Sequence, residues 1–117
     1  MQPTVRLPRV ILYGTGEVCS YYLSEQRWRE GKQFTISAIA DSDPKKWGAD
    51  FWGYRVCKLD EILLMEFDAI VIMTEPHYFE IKKKLVYDLY LDERRIWRLD
   101  EFVYELGREA ACKRETI

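Results

Sequence analysis

The sequence is poor in the residue types that most often build a reaction centre. It has one histidine and three cysteines in 117 residues. Cys19, Cys57 and Cys112 are odd in number, widely spaced and free of any Cys-x-x-Cys pair. That pattern argues against a disulfide framework or a zinc site and for reduced thiols. No apolar run approaches the ~20 residues needed to span a bilayer. Residues 1–8 lack the apolar segment of a signal peptide, so a cytoplasmic location is the expectation. Nor is there an excess of charge of one sign. The formal net charge is -2, and the densest basic run is Lys82, Lys83 and Lys84. No nucleic acid and no anionic membrane is therefore expected as a partner.

What is present is a globular composition, 48% apolar and 32% charged, which suits a single domain over residues 1–117. The 15% aromatic share is high, and part of it can serve an interface such as that of a homodimer. Strand and helix patterns alternate along the chain. Strands are predicted at about 9–13, 34–40, 54–57, 69–73 and 95–99. The run 69–73 is wholly apolar, as a strand buried on both faces should be.

A first helix is predicted from Gly16 or Glu17 to just before Gly31, with Val18, Tyr21, Tyr22 and Trp28 inward. A short helix follows Asp60, turning Ile62, Leu63 and Met65 inward. A third starts at Thr74-Glu75-Pro76 with a stripe of Tyr78, Ile81, Leu85 and Leu89. A last one follows Asp100 and carries Phe102, Val103 and Leu106. This alternation implies an α/β, Rossmann-like three-layer sandwich. Its sheet would be mostly parallel and five-stranded, in the order 3-2-1-4-5.

In such a sheet, ligands bind at the carboxyl ends of the strands where the chain reverses direction. Three segments should meet there: residues 13–17, 41–43 and 74–77. Gly14 permits the tight turn leaving the first strand. Gly16 lets a diphosphate approach the backbone, and Thr15 stands between them. The third glycine of the full Gly-x-Gly-x-x-Gly pattern is replaced by Cys19. Glu17 suits the helix dipole but would repel a diphosphate unless it points away.

Asp41 follows Gly16 at close to the usual separation of ~20 positions and could accept bonds from two ribose hydroxyls, with Ser42 beside it. That would favour NAD over its 2′-phosphorylated form, although Lys45 and Lys46 weaken the preference. The same Asp-Ser-Asp-Pro is also ordinary turn chemistry. Thr74 and His77 complete the candidate binding set. Each has a structural alternative, a helix cap for Thr74 and a surface position for His77. Glu17, Asp41, Asp43 and Glu75 have no metal-ligand spacing. Trp47, Phe51 and Trp52 read as a packed loop.

Residues 11–18 (Ile-Leu-Tyr-Gly-Thr-Gly-Glu-Val), 40–48 (Ala-Asp-Ser-Asp-Pro-Lys-Lys-Trp-Gly), 53–56 (Gly-Tyr-Arg-Val) and 67–72 (Phe-Asp-Ala-Ile-Val-Ile) resemble a known domain. It is the small Rossmann-like domain of bacterial nucleotide-sugar and polysaccharide-biosynthesis proteins. There it precedes sugar epimerase/dehydratase or acyltransferase domains, or stands alone. The resemblance implies a nucleotide or nucleotide-sugar site at Gly14, Thr15, Gly16 and Asp41. Two departures limit it. Glu17 and Val18 replace the Gly-His of the acyltransferase-linked version. The epimerase-linked version owes its chemistry to a following domain with a Tyr-x-x-x-Lys pair; Tyr78 and Lys82 share only that spacing.

No catalytic constellation is visible. The expected function is a stand-alone binding or accessory domain that recognises NAD or a UDP-sugar in cell-surface polysaccharide assembly. The first alternative is a small or fragmentary enzyme that completes its site across a dimer, with His77 and Glu75 as acid–base candidates. The second is an interaction module without a ligand.

Overall fold

The computed structural model describes residues 6–115, with side chains as far as residue 109. Cys112 lies outside the described side chains. The strands are β1 (Arg9–Tyr13), β2 (Thr35–Ala40), β3 (Asp50–Phe51), β4 (Tyr54–Cys57), β5 (Ala69–Ile72) and β6 (Ile96–Arg98). The helices are α1 (Glu17–Ser24), α2 (Gln26–Arg29), α3 (Leu59–Ile62), α4 (Tyr78–Lys83), which continues as a π-helical turn at Lys84–Asp88, and α5 (Leu99–Glu115).

The sheet has six strands rather than five, in the order β3-β4-β2-β1-β5-β6. The unforeseen strand is β3, a two-residue partner that runs antiparallel to β4. The other five pair in parallel and keep the relative order expected, with β3 added outside them. β1 sits between β2 and β5, so Tyr13 is in register with Ala40 on one side and Ile72 on the other.

Alternation along β1 sends Val10 and Leu12 to one face and Ile11 and Tyr13 to the other. Both faces are covered, which is why β1 from Val10 onward and all of β5 are apolar. One face packs Cys19, Leu23, Trp28, Phe34, Leu99 and Phe102 from α1, α2, α5 and the approach to β2. Trp28 is at its centre, with ring centroids 4.8 Å from Tyr22, 5.4 Å from Phe34 and 5.7 Å from Phe102. The other face packs Leu59, Ile62, Tyr78 and Leu85, with Ile81 and Leu89 partly buried against it.

The last helix starts at Leu99, so Asp100 lies in its first turn rather than ahead of it, and the other three helices also differ from the sequence expectation. The first is interrupted at Glu25, whose backbone is extended, giving α1 and α2. Its inward residues are Cys19, Leu23 and Trp28, while Val18 and Tyr21 are exposed. Cys19 and Leu23 lie one turn apart, and that pair, not Val18 and Tyr21, faces the sheet. In the short helix, Lys58 holds the N-cap position in place of Asp60, and Leu63 is exposed while Ile62 is buried. The helix after β5 starts at Tyr78 rather than at Thr74-Glu75-Pro76, so His77 is its N-cap residue and Pro76 lies in the preceding turn.

Candidate functional site

The carboxyl ends of β1, β2 and β5 open onto a cleft of about 360 Å³. It is lined by Tyr13 to Gly16, by Asp41, Ser42 and Lys46, and by Thr74, His77, Glu80 and Ile81. All seven residues singled out in the sequence are in this lining. Lys46 was weighed in the sequence as a residue that weakens the NAD preference, and Tyr13 opens the 13–17 segment expected here. Glu80 and Ile81 were not anticipated; they lie on α4, where sequence spacing alone carries no directional signal.

The glycine turn is built as the chemistry of its residues requires. Gly14 has φ +107, in the left-handed region, and a methyl group there would meet Thr74 Cγ2 at 3.4 Å. Its N–H donates to the Ala40 carbonyl at 2.8 Å, which ties the turn to β2. Gly16 is the N-cap of α1 and has no side chain to cap the helix, and a Cβ added there would meet nothing within 4 Å. The space in front of Gly16 is therefore open. Glu17 is exposed and does not line the cleft, nor do Trp47, Phe51 and Trp52.

Asp41 does something different from what its position suggests. Its Oδ2 accepts from Thr15 N at 2.8 Å and from Thr15 Oγ1 at 2.7 Å, and its Oδ1 accepts from Asp43 N at 2.8 Å. Lys46 Nζ lies 3.7 Å from Oδ2. The residue is 7% exposed. Burial works to raise its pKa, but the Asp43 and Thr15 donors and the Lys46 charge outweigh it and hold the carboxyl below its ordinary value. Asp41 is thus a buried latch between the end of β2 and the glycine turn. The latch consumes the Thr15 amide, one of the donors a diphosphate would otherwise use, and leaves little of the carboxylate for a ribose.

The segment after Asp41 is rigidly held. Asp43 caps a 3-10 turn at Pro44–Lys46 by accepting from Lys45 N at 3.0 Å. Trp47 Nε1 donates to the Asp41 carbonyl at 2.7 Å. These bonds place Lys46 on the cleft wall. At the floor, burial pushes the Tyr13 phenol above its ordinary pKa with Ser42 opposing, so Tyr13 stays a neutral hydroxyl.

On the α4 side, His77 is exposed with Nδ1 3.7 Å from Glu80 Oε2. Glu75 is bound to Arg98 at 2.8 Å rather than to His77, so the acid–base pair considered from the sequence is not assembled. Thr15 with Asp41 is a hydroxyl–carboxylate pair, but a carboxylate held below its ordinary pKa is a poor proton acceptor.

Among the described residues, no group of three His, Cys, Asp or Glu side chains could hold a metal ion. Also among them, no helix is long and apolar enough to cross a membrane. Cys19 and Cys57 are free and buried, and burial pushes the Cys19 thiol up to about 12.

No curated protein matches the sequence. In structure the chain is similar to UDP-D-quinovosamine 4-dehydrogenase from Vibrio fischeri, at 18% identity and TM-score 0.56, over 85% of each chain. It is also similar to RSP, a Rex-family repressor, at 15% identity and TM-score 0.61, over 96% of this chain and 65% of that one. RSP in complex with β-NAD+ and operator DNA aligns at 15% identity and TM-score 0.55, over 94% of this chain and 61% of that one. This chain therefore spans less than two thirds of the repressor chains. At these identities the likeness is one of fold, and it places the sheet among Rossmann-type folds. The family model described as C2185-like, N-terminal, matches residues 7–97, and the chain belongs to that family.

Proposed function

We propose that this domain recognises a nucleotide, NAD or a nucleotide-sugar, in the cleft at the ends of β1, β2 and β5. It acts as a binding or accessory module in cell-surface polysaccharide assembly, in the cytoplasm, without catalysis of its own and without a nucleic-acid partner. One observation carries the reading. Three segments far apart in sequence converge on a single cleft at the strand-order reversal, and Glu17 leaves that cleft open. The Gly16 amide at the start of α1, the Lys46 ammonium and the Ser42, Thr74 and Tyr13 hydroxyls supply the polar groups such a ligand needs. The fold shared with a UDP-sugar dehydrogenase and with a repressor complexed with β-NAD+ supports it.

A second reading is favoured by the Asp41 latch. A turn whose Thr15 amide is already satisfied suits an interaction module that keeps the fold without a ligand. Thermal denaturation with NAD, NADP, UDP-glucose, coenzyme A and S-adenosylmethionine separates the two. A ligand at 100 times its Kd adds about 2.7 kcal/mol of stability. Stabilisation by a nucleotide is the expected result, and the absence of any shift across the panel sinks the proposal in favour of the second reading.

A further inference from the structure

We infer that the β2 end of the cleft reads a phosphate rather than a ribose diol. Lys46 and Ser42 are the reading residues, and a 2′-phosphorylated dinucleotide is held in preference to NAD. This rests on the nucleotide reading above and reverses the preference that the position of Asp41 suggests.

The argument begins with what Asp41 can no longer offer. A ribose diol needs an accessible carboxylate with free lone pairs. Asp41 is 7% exposed and accepts three hydrogen bonds, two of them from Thr15. Oδ2 is filled by the two Thr15 donors and only Oδ1 keeps a free acceptor site, so a diol could not take both carboxylate oxygens without breaking the latch that positions the glycine turn.

Lys46 is the opposite case. Its side chain is 43% exposed and lies on the cleft wall. Its partner among the described residues is Asp41, and the 3.7 Å separation is too long for a hydrogen bond. The Lys46 end of the pair is solvated and no hydrogen bond holds the ammonium, so it can turn to a ligand. Asp41 stays ionised, and Lys46 is the counter-charge beside it in the cleft lining.

Ser42 is exposed in the same wall, next to the carbonyl that Trp47 holds. The Asp43-capped turn and the Trp47 bond fix the path of the chain under Lys46, so little backbone ordering is needed on binding. The β2 end is where a Rossmann-type domain meets the ribose that carries the 2′ substituent.

Isothermal titration of the full chain with NADP+, NAD+ and UDP-glucose tests the inference, with Lys46→Ala and the neighbouring Lys45→Ala, which is outside the cleft lining. Thermal melts first establish that both variants are folded. A charge-assisted contact corresponds to roughly tenfold or more in affinity. NADP+ should therefore bind at least about tenfold tighter than NAD+. Lys46→Ala should bring NADP+ down to the NAD+ level with NAD+ unchanged, and Lys45→Ala should change neither. Equal binding of the two dinucleotides, or NADP+ affinity indifferent to Lys46→Ala, overturns the inference and leaves the nucleotide reading standing. Binding of UDP-glucose alone does the same. Failure of all three probes to bind overturns both.

Discussion

Replacing Asp41 by Asn keeps the side chain's shape but removes its charge and one acceptor oxygen, which makes it the sharpest probe of the latch. Asn has one acceptor oxygen and one NH2 group. If its oxygen faces Thr15, the NH2 meets the Asp43 amide, and a 2.8 Å bond becomes a donor–donor contact. If the oxygen faces Asp43, both Thr15 bonds are lost. The first arrangement costs less. It loses one bond and weakens two from charge-assisted to neutral, for a total of about 2–3 kcal/mol at neutral pH. For a domain of this size that is a fall in Tm of roughly 10 °C.

The pH dependence gives a second signature. The folded Asp41 pKa lies below its ordinary 3.8, so its stabilisation is complete above that value and is lost as pH falls through the lower folded pKa. Once wild-type Asp41 is protonated, it resembles Asn. Urea unfolding followed by circular dichroism should show a wide gap between wild type and Asp41→Asn at pH 7, narrowing on acidification below about pH 4. A gap under about 0.5 kcal/mol at pH 7, or one that does not narrow, would refute the latch.

The two glycines of the turn should behave differently. Gly14→Ala forces a side chain into φ +107 and against Thr74, and should cost about 1–3 kcal/mol in the same unfolding assay. Gly16→Ala meets nothing within 4 Å and changes only an N-cap, so its cost should stay below about 1 kcal/mol. Its Cβ nonetheless projects where a diphosphate would approach, so nucleotide affinity measured by titration should fall while the melt barely moves. With its thiol pushed up to about 12, Cys19 should be only about one part in ten thousand thiolate at pH 8. Mass spectrometry after alkylation should find Cys19 unmodified in the native chain and modified in urea; rapid native labelling would contradict its burial.

The strands were legible because burial on both faces leaves a plain mark. Val10 to Tyr13 and Ala69 to Ile72 are apolar without interruption. The turn at Gly14 was legible because its positive φ selects glycine. β3 was not, since two residues, Asp50 and Phe51, are too few to show a period. The break at Glu25 left no glycine or proline to mark it, so one helix was expected where α1 and α2 stand. The inward face of α1 was misread because Val18, Tyr21 and Tyr22 were taken as its apolar stripe, yet the backbone phase gives Cys19 and Leu23 to the sheet. At the cleft, position was readable and occupancy was not. Spacing could bring Asp41 beside the glycine turn, but nothing in the sequence states that Thr15, through both its amide and its hydroxyl, takes one carboxylate oxygen. A hydroxyl residue between the two glycines was the one available hint.

The most direct test of the nucleotide reading is residue-resolved. Amide chemical shifts of the labelled chain are followed by NMR as NADP+, NAD+ or UDP-glucose is added. Saturable shifts centred on Gly16, Ser42, Lys46 and Thr74 are the predicted result. Unmoved spectra with all three, or shifts confined to surfaces away from the β1, β2 and β5 ends, would contradict it.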